Sequence, residues 1–192
     1  MSMPNNEATS AWDVLESDYL IRRPWLNVRR ERLRLPNGNE IPEYYVLECP
    51  DGVGVVAITE DGKLVLERLY RHGLRRMTWE IPCGMMEETD ESPLAGAQRE
   101  LLEETGYGGG EWTPLDTLSG NAGIMNNLTH CFLARGVKKL CEQHLDVGES
   151  LETKLVPLED VPAMLLRGDF YQSLHVAPLW KFFWMQKNSI PV

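Results

Sequence analysis

Residues 84–107 read GMMEETDESPLAGAQRELLEETGY, and the prediction of the fold starts from this stretch. Its second half predicts a helix that begins after Ser92, a good N-cap residue, with Pro93 at the first helical position. Gly106 lies where a left-handed residue would end the helix. The last turn and a half of this helix then carries Glu100, Glu103 and Glu104.

Glutamates spaced three and four residues apart lie on one side of a helix, where they repel by roughly 0.2–0.5 kcal/mol per pair. The negative end of the helix dipole adds to this penalty. A hard divalent cation bound by carboxylate oxygens, Mg²⁺ in the first place and Mn²⁺ as the alternative, would turn the repulsion into a site suited to phosphate chemistry. A solvated acidic surface is the competing interpretation for an isolated cluster.

The complete string resembles the Nudix box, a pattern of glycine, glutamate, arginine–glutamate, two further glutamates and a final glycine at fixed spacing. The matching positions are Gly84, Glu91, Arg99, Glu100, Leu101, Glu103, Glu104 and Gly106. The segment between Gly84 and Glu91 is one residue longer than in the box, which leaves the acidic position open between Glu91 and Asp90. The resemblance implies a Nudix-type α/β/α sandwich with a mixed sheet, and it assigns Arg99 and Glu103 to the catalytic machinery.

Two stretches on either side of residue 75 narrow the resemblance to the ADP-ribose pyrophosphatases: LERLYRHG at 66–73 and WEIPCG at 79–84. By that likeness Arg71 would contact the phosphates or the terminal ribose of the substrate, with Arg76 near enough to assist. A guanidinium suits this role because it makes bidentate contacts to phosphate oxygens. Glu80 would hold the nucleotide or orient the loop, and the Cys83 carbonyl would add a metal ligand. Ordinary surface charge is the alternative for both arginines.

Hydrolysis also needs a base that takes a proton from the attacking water. The stretch LDVGESLETKLVPLEDV at 145–161 resembles the loop that carries this base in the ADP-ribose pyrophosphatases, and it favours Glu149. Glu152 is the second candidate, and a box carboxylate the third. Trp25 lies near the position where dimeric relatives place an aromatic side chain against the adenine, with core packing as its alternative role.

The rest of the chain predicts strands and helices around this motif. Residues 1–50 are expected to form an N-terminal extension with a β-hairpin around Asn37-Gly38, a candidate dimerisation element, and residues 51–192 the Nudix domain. By family likeness we expect a homodimer. Further strands are predicted at 52–59, 64–70, 77–81, 113–118, 129–134 and 152–156, and helices at 159–166 and 175–187.

Composition limits the partners and the compartment. The chain of 192 residues has 29 acidic and 19 basic residues, and its net charge of −10 opposes general binding to nucleic acid or to an anionic membrane. Its four cysteines form no CxxC pair, so reduced thiols and a cytoplasmic location are expected. The opening MSMPNNEATS lacks a signal-peptide pattern, and no apolar run approaches the ~20 residues needed to span a bilayer.

These features predict a Mg²⁺-dependent hydrolase of a nucleoside diphosphate derivative, with ADP-ribose cleaved to AMP and ribose 5-phosphate. The alternatives are another nucleotide sugar, such as GDP-mannose, and a non-catalytic Nudix-like sensor that binds a nucleotide without turnover. A purely structural acidic scaffold would require the ordered string at 84–107 to be accidental.

Overall fold

The computed structural model of the chain describes residues 11–24 and 26–190. Trp25, the predicted adenine-stacking residue, lies outside the described residues. The chain divides into two compact units. The first contains the residues up to Cys49 together with Asn121–Asn126, and the second contains Pro50–Gly120 and the residues from Asn127 onward.

The N-terminal unit is an antiparallel sheet of three strands in the order β1–β2–β3. The strands are β1 (Asp13–Arg23), β2 (Leu26–Arg34) and β3 (Glu40–Glu48). The predicted hairpin is β2–β3, and Gly38 at its turn has φ 84°. Strand β1 was not predicted, because its side chains are mostly exposed and show no alternation of apolar residues. Charge pairs across the strands, such as Arg32 with Glu16 at 2.6 Å, accompany its pairing with β2.

The second unit is a mixed sheet with three helices. Its strands are β4 (Gly52–Thr59), β5 (Lys63–Arg71), β6 (Arg76–Glu80), β7 (Cys83–Met85), β8 (Tyr107–Gly108), β9 (Glu111–Leu118), β10 (Thr129–Lys139) and β11 (Leu151–Pro157). Its helices are α1 (Pro93–Thr105), α2 (Val161–Arg167) and α3 (Ser173–Lys187). Strands β4 and β10 are parallel, whereas the other pairs are antiparallel. The short strands β7 and β8 were not predicted from the sequence.

Helices cover both faces of this sheet, and β4 supplies apolar side chains to each face in turn. Val53, Val55 and Ala57 pack with α1, and Val56 and Ile58 pack with α2 and α3. Both faces of a central strand are therefore buried, which accounts for its nearly continuous apolar sequence. Leu179 and Phe182 of α3 belong to the core that contains Val56 and Ile58. The predicted α/β/α sandwich with a mixed sheet is confirmed.

Helix α1 begins and ends where the sequence predicts. The Ser92 side chain accepts a hydrogen bond from the Ala95 N–H at 3.2 Å, and Pro93 occupies the first turn. Gly106 ends the helix in the left-handed region at φ 71°, and its N–H donates to the Leu102 carbonyl. These ends hold the acidic last turns of α1 beside β7.

Candidate active site

In the last turns of α1, two of the three glutamates of the motif have buried side chains. Glu100 and Glu104 are 8% and 6% exposed, whereas the Glu103 side chain keeps 45% of its surface. The Cys83 backbone N–H donates to Glu104 Oε2 at 3.0 Å, which ties the helix end to β7. Burial is the main cause of a raised pKa in both residues. It raises the pKa of Glu100, and it raises that of Glu104 to about 10. A buried carboxylate without a cation is costly, so this end of the helix needs positive charge.

Gly84 allows the Glu100 carboxylate to approach the backbone of β7. A Cβ atom added at Gly84 would overlap the carboxyl group of Glu100, closer than real Cβ atoms come to any neighbour. Nothing larger than glycine fits at this point unless Glu100 moves. The glycine of the sequence motif therefore has a steric role in the site.

Arg99 is fixed by carboxylates on three sides. Asp90 receives two hydrogen bonds from its guanidinium, at 3.0 and 2.9 Å, and Glu100 and Glu103 each receive one at 3.0 Å. Asp90 is the main cause that raises the pKa of Arg99. The open choice between Glu91 and Asp90 is thereby resolved for this contact. In the described part of the chain Asp90 holds Arg99 and Glu91 does not. Arg99 orients the acidic end of α1.

A fourth carboxyl group, Glu67 on β5, lies against Glu104 and was missed by the sequence analysis. Glu67 is 1% exposed, its carboxyl group is in hydrogen-bonding contact with that of Glu104, and its Oε1 has no hydrogen-bond partner among the described residues. Burial, with smaller contributions from the charges of Glu80 and Glu100, raises the pKa of Glu67 to about 8, although the contact with Glu104 opposes this shift. The available signal was a single glutamate directly after the apolar run Leu64, Val65 and Leu66 of β5.

Arg71 and Glu80 form a bidentate ion pair one strand away. The guanidinium Nε and Nη2 donate to the two carboxylate oxygens at 2.8 and 2.6 Å. Glu80 is 1% exposed, while the Arg71 side chain keeps 44% of its surface. Burial alone would raise the pKa of Glu80, but Arg71, with help from His175, outweighs burial and lowers this pKa to about 2. Glu80 thus holds Arg71 with its charged end partly open to ligands.

His175 on α3 stands behind this ion pair and was also missed by the sequence analysis. Its Nε2 lies 2.9 Å from Glu80 Oε2, although the contact does not meet hydrogen-bond geometry. Glu80, His175 and the Cys83 thiol bring an oxygen, a nitrogen and a sulfur within 4.8 Å of one another. Because Arg71 already compensates Glu80, we describe this group as a positioning network.

Arg76 lies on β6 directly across from Arg71, with its guanidinium 4.7 Å from the ring centroid of Tyr171. Stacking on an exposed aromatic ring restricts a long side chain at little cost. The register therefore brings the two predicted anion-binding arginines to the same end of the β5–β6 pair.

The two candidate bases on the 145–161 segment differ in position. Glu149 is exposed in a turn, where its Oε2 accepts the Asp146 N–H at 3.0 Å. Burial is the main cause that raises the pKa of Glu100, and the negative charge of Glu149 makes a smaller contribution in the same direction. Glu149 therefore lies near the acidic end of α1. Glu152 pairs with Lys154 at 3.0 Å and lies opposite Arg68, one residue out of phase with Glu67. Alternation along the strand turns Glu152 to the other face.

The donor set at the end of α1 fits a hard divalent cation. Glu67, Glu100 and Glu104 are buried carboxyl groups, Glu103 lies at their rim, and Glu67 Oε1 is an orphaned buried oxygen in the described residues. Oxygen ligands of this kind suit Mg²⁺ or Mn²⁺ better than softer metals. Arg99 supplies one positive charge, which does not balance this group.

Two further findings concern membrane spans and cysteines in the described residues. Within residues 11–24 and 26–190, no helix combines the length and the apolar character that a membrane span requires. The cysteines of the described residues, Cys49, Cys83, Cys131 and Cys141, are free thiols, and Cys141 is exposed.

The fold and the acidic site define a class of phosphoanhydride hydrolase. A family model described as the NUDIX domain matches residues 50–175, and the chain therefore belongs to the Nudix family. It is a Nudix hydrolase that acts on the diphosphate bond of nucleoside diphosphate derivatives, a class that generally uses divalent metal ions. A second model, described as the nucleoside diphosphate sugar hydrolase N-terminal domain, matches residues 12–47.

Within the family the chain is ADP-ribose pyrophosphatase-like. It is 33% identical over 144 residues to an ADP-ribose pyrophosphatase of Bacillus subtilis (strain 168), covering 74% of this chain and 77% of the relative. It is 27% identical over 167 residues to an ADP-ribose pyrophosphatase of Mycobacterium tuberculosis (strain ATCC 25618 / H37Rv), covering 86% and 80%. A solved structure of an ADP compounds hydrolase shares the fold, with a TM-score of 0.81 at 24% identity over 95% of this chain and 98% of that one. The predicted family, fold and enzyme class are confirmed.

Proposed function

We propose that the protein is a Mg²⁺-dependent ADP-ribose pyrophosphatase that releases AMP and ribose 5-phosphate. The observation that carries the proposal is the group of buried carboxylates at the end of α1, left without enough positive charge. The clamped Arg71 supplies an anion contact from the neighbouring strands. A diphosphate with its cation would bring positive charge to the carboxylates and phosphate oxygens to the exposed end of the Arg71 side chain.

Glu100, Glu103 and Glu104 would hold the cation, with the Cys83 carbonyl as a backbone ligand. When bound, Mg²⁺ offsets the charge of the diphosphate and lowers the pKa of a coordinated water. Arg99, which Asp90 holds in two hydrogen bonds, keeps the glutamates in place without contacting the substrate.

Arg71 and Arg76 would bind and orient the anionic substrate. Glu80 fixes Arg71 from behind, so that its guanidinium is ordered before the substrate arrives. Glu149 is the proposed base. It takes a proton from the attacking water while the water oxygen bonds to phosphorus and the bridging P–O bond breaks. Its exposed turn allows it to move over a bound substrate.

The choice of ADP-ribose follows the relatives, two of which are ADP-ribose pyrophosphatases. Another nucleoside diphosphate sugar is the second candidate, because the model that matches residues 12–47 is described by that activity. The carboxylates of α1 and Arg71 would act on the diphosphate, and they do not distinguish the groups at its ends.

Initial rates with ADP-ribose, ADP-glucose, GDP-mannose and a dinucleoside polyphosphate would test the proposal, with products separated by chromatography. We expect Mg²⁺-dependent release of AMP and ribose 5-phosphate, with kcat/KM for ADP-ribose at least about tenfold above the others. A higher kcat/KM for GDP-mannose would favour the second candidate. Turnover that is unchanged after chelation of divalent ions would contradict the metal requirement.

We also propose that residues 1–50 form an extension that joins two copies into a homodimer, with residues 51–192 as the catalytic domain. In this arrangement Trp25 stacks on the adenine. Light scattering on the full chain would test the dimer, and a monomer at micromolar concentration would contradict it. Trp25→Ala should raise KM for ADP-ribose with kcat little changed.

We also propose a cytoplasmic location, with which the four free thiols agree.

A further inference from the structure

Glu67 occupies a position where the pattern of β5 calls for an apolar side chain. Alternate residues of a strand share a face, and Val65, two residues earlier, packs with Ala97 and Leu101 of α1. Glu67 continues this face and is 1% exposed. A carboxyl group at such a point costs folding free energy unless a partner compensates it.

Among the described residues, no basic side chain forms an ion pair with Glu67. Its direct neighbour across the β5–β6 pair is Glu80, whose two oxygens are engaged by Arg71. Its neighbour from α1 is Glu104, another carboxyl group. Its Oε1 has no hydrogen-bond partner among the described residues. The unsatisfied oxygen therefore lies beside the proposed cation ligands.

We infer that Glu67 is a further carboxylate ligand of the divalent cation, reaching it from the sheet while Glu100 and Glu104 reach it from the helix. This inference rests on the metal site of the proposed function. It adds a residue of β5, outside the 84–107 motif, to the ligand set. A cation between Glu67 and Glu104 satisfies the orphaned oxygen and removes the repulsion between two buried carboxylates.

A protonated Glu67 that only donates a hydrogen bond to Glu104 is the competing explanation, and Glu67→Gln separates the two. A glutamine side chain has nearly the same shape and keeps an N–H donor for Glu104. It would preserve a hydrogen-bonding role but would lose the charge that a cation ligand needs.

The experiment is titration of the metal-free full chain with Mn²⁺, with free Mn²⁺ followed by electron paramagnetic resonance. Glu67→Gln should weaken Mn²⁺ binding by at least about tenfold. Glu60→Gln is the matched control, because Glu60 is exposed in the turn before β5 and its change removes the same single charge. Circular dichroism and thermal unfolding would verify that each variant is folded.

Comparison with Glu104→Gln separates failure of this inference from failure of the proposed site. If Glu104→Gln loses Mn²⁺ binding while Glu67→Gln binds Mn²⁺ within about twofold of the unmodified chain, Glu67 is not a ligand and the proposed function stands. If neither change affects Mn²⁺ binding, the metal site at the end of α1 is wrong. If Glu67→Gln fails to fold, Glu67→Asp replaces it. The inference then requires weakened Mn²⁺ binding by this shorter carboxylate, and unchanged binding overturns it.

Discussion

Two neighbouring groups of buried charge in the second unit are built in opposite ways. In the first, Arg71 engages both oxygens of Glu80, and the pKa of Glu80 falls to about 2. In the second, the Glu67 and Glu104 carboxyl groups face each other, and burial raises their pKa values to about 8 and about 10. The first group is electrostatically complete within the protein. The second needs positive charge from outside the protein. This difference is the reason why we propose the first group as a substrate-positioning pair and the second as a metal site.

The largest effect is expected from breaking the incomplete group at a proposed ligand. Glu104→Gln should lower kcat by on the order of a hundredfold or more, because transition-state charge loses the cation that offsets it. Glu103→Gln should act in the same direction. AMP release from ADP-ribose in saturating Mg²⁺ measures the loss. Glu60→Gln, an exposed charge-matched change, is the control, and turnover of Glu104→Gln close to that control would contradict the assignment.

The complete group should respond through substrate affinity instead. Arg71→Lys keeps the positive charge but loses the fork that grips both oxygens of Glu80. KM for ADP-ribose should rise by about tenfold or more, with a smaller change in kcat. The reason is that a mispositioned lysine ammonium group weakens the binding of the substrate and of the transition state together.

Arg68→Lys is the matched control for that substitution. Arg68 lies on the same strand but is exposed, with its guanidinium 5.5 Å from the Trp79 ring centroid. Equal KM values for the two lysine variants would argue against the proposed role of Arg71.

The two groups also predict opposite dependences of stability on pH. Glu80 has a lowered pKa, so its contribution to the free energy of unfolding is present above about 4.5 and is lost as pH falls towards 2. Glu67 and Glu104 have raised pKa values, so in metal-free protein stability falls as pH rises from 4.5 through about 8 and about 10.

Thermal unfolding between pH 5 and pH 9 checks this difference. In chelator, the Tm of Glu104→Gln relative to the unmodified chain should be higher at pH 9 than at pH 5, because the variant cannot ionise at this position. Mg²⁺ should raise the Tm of the unmodified chain at pH 9. A Tm difference between the two proteins that does not change with pH would show that ionisation of these carboxyl groups does not lower the stability of the fold.

Sequence reasoning reached the parts of this comparison that depend on local spacing. The ends of α1 and the positions of Glu100, Glu103 and Glu104 follow from a cap residue, a left-handed glycine and helical periodicity. The choice of Asp90 over Glu91 did not follow, because it depends on the path of the longer loop. Glu67 and His175 were missed because strand register and the docking of α3 bring them to the site.

The smallest effect should come from disturbing the packing of a ligand without removing it. Gly84→Ala places a methyl group on the Glu100 carboxylate, which must then move away from β7. We expect Mn²⁺ affinity to fall several-fold, less than the at least tenfold loss expected from deleting a ligand charge, because Glu100 keeps its charge and can adjust. Gly123→Ala is the control, since its added methyl would meet only Asn121 Oδ1 at 3.4 Å. If Gly84→Ala binds Mn²⁺ as tightly as Gly123→Ala, the position of Glu100 against the strand does not set the affinity of the site. A loss of Mn²⁺ affinity in Gly84→Ala but not in Gly123→Ala would instead show that the glycine of the motif positions Glu100 for the metal site.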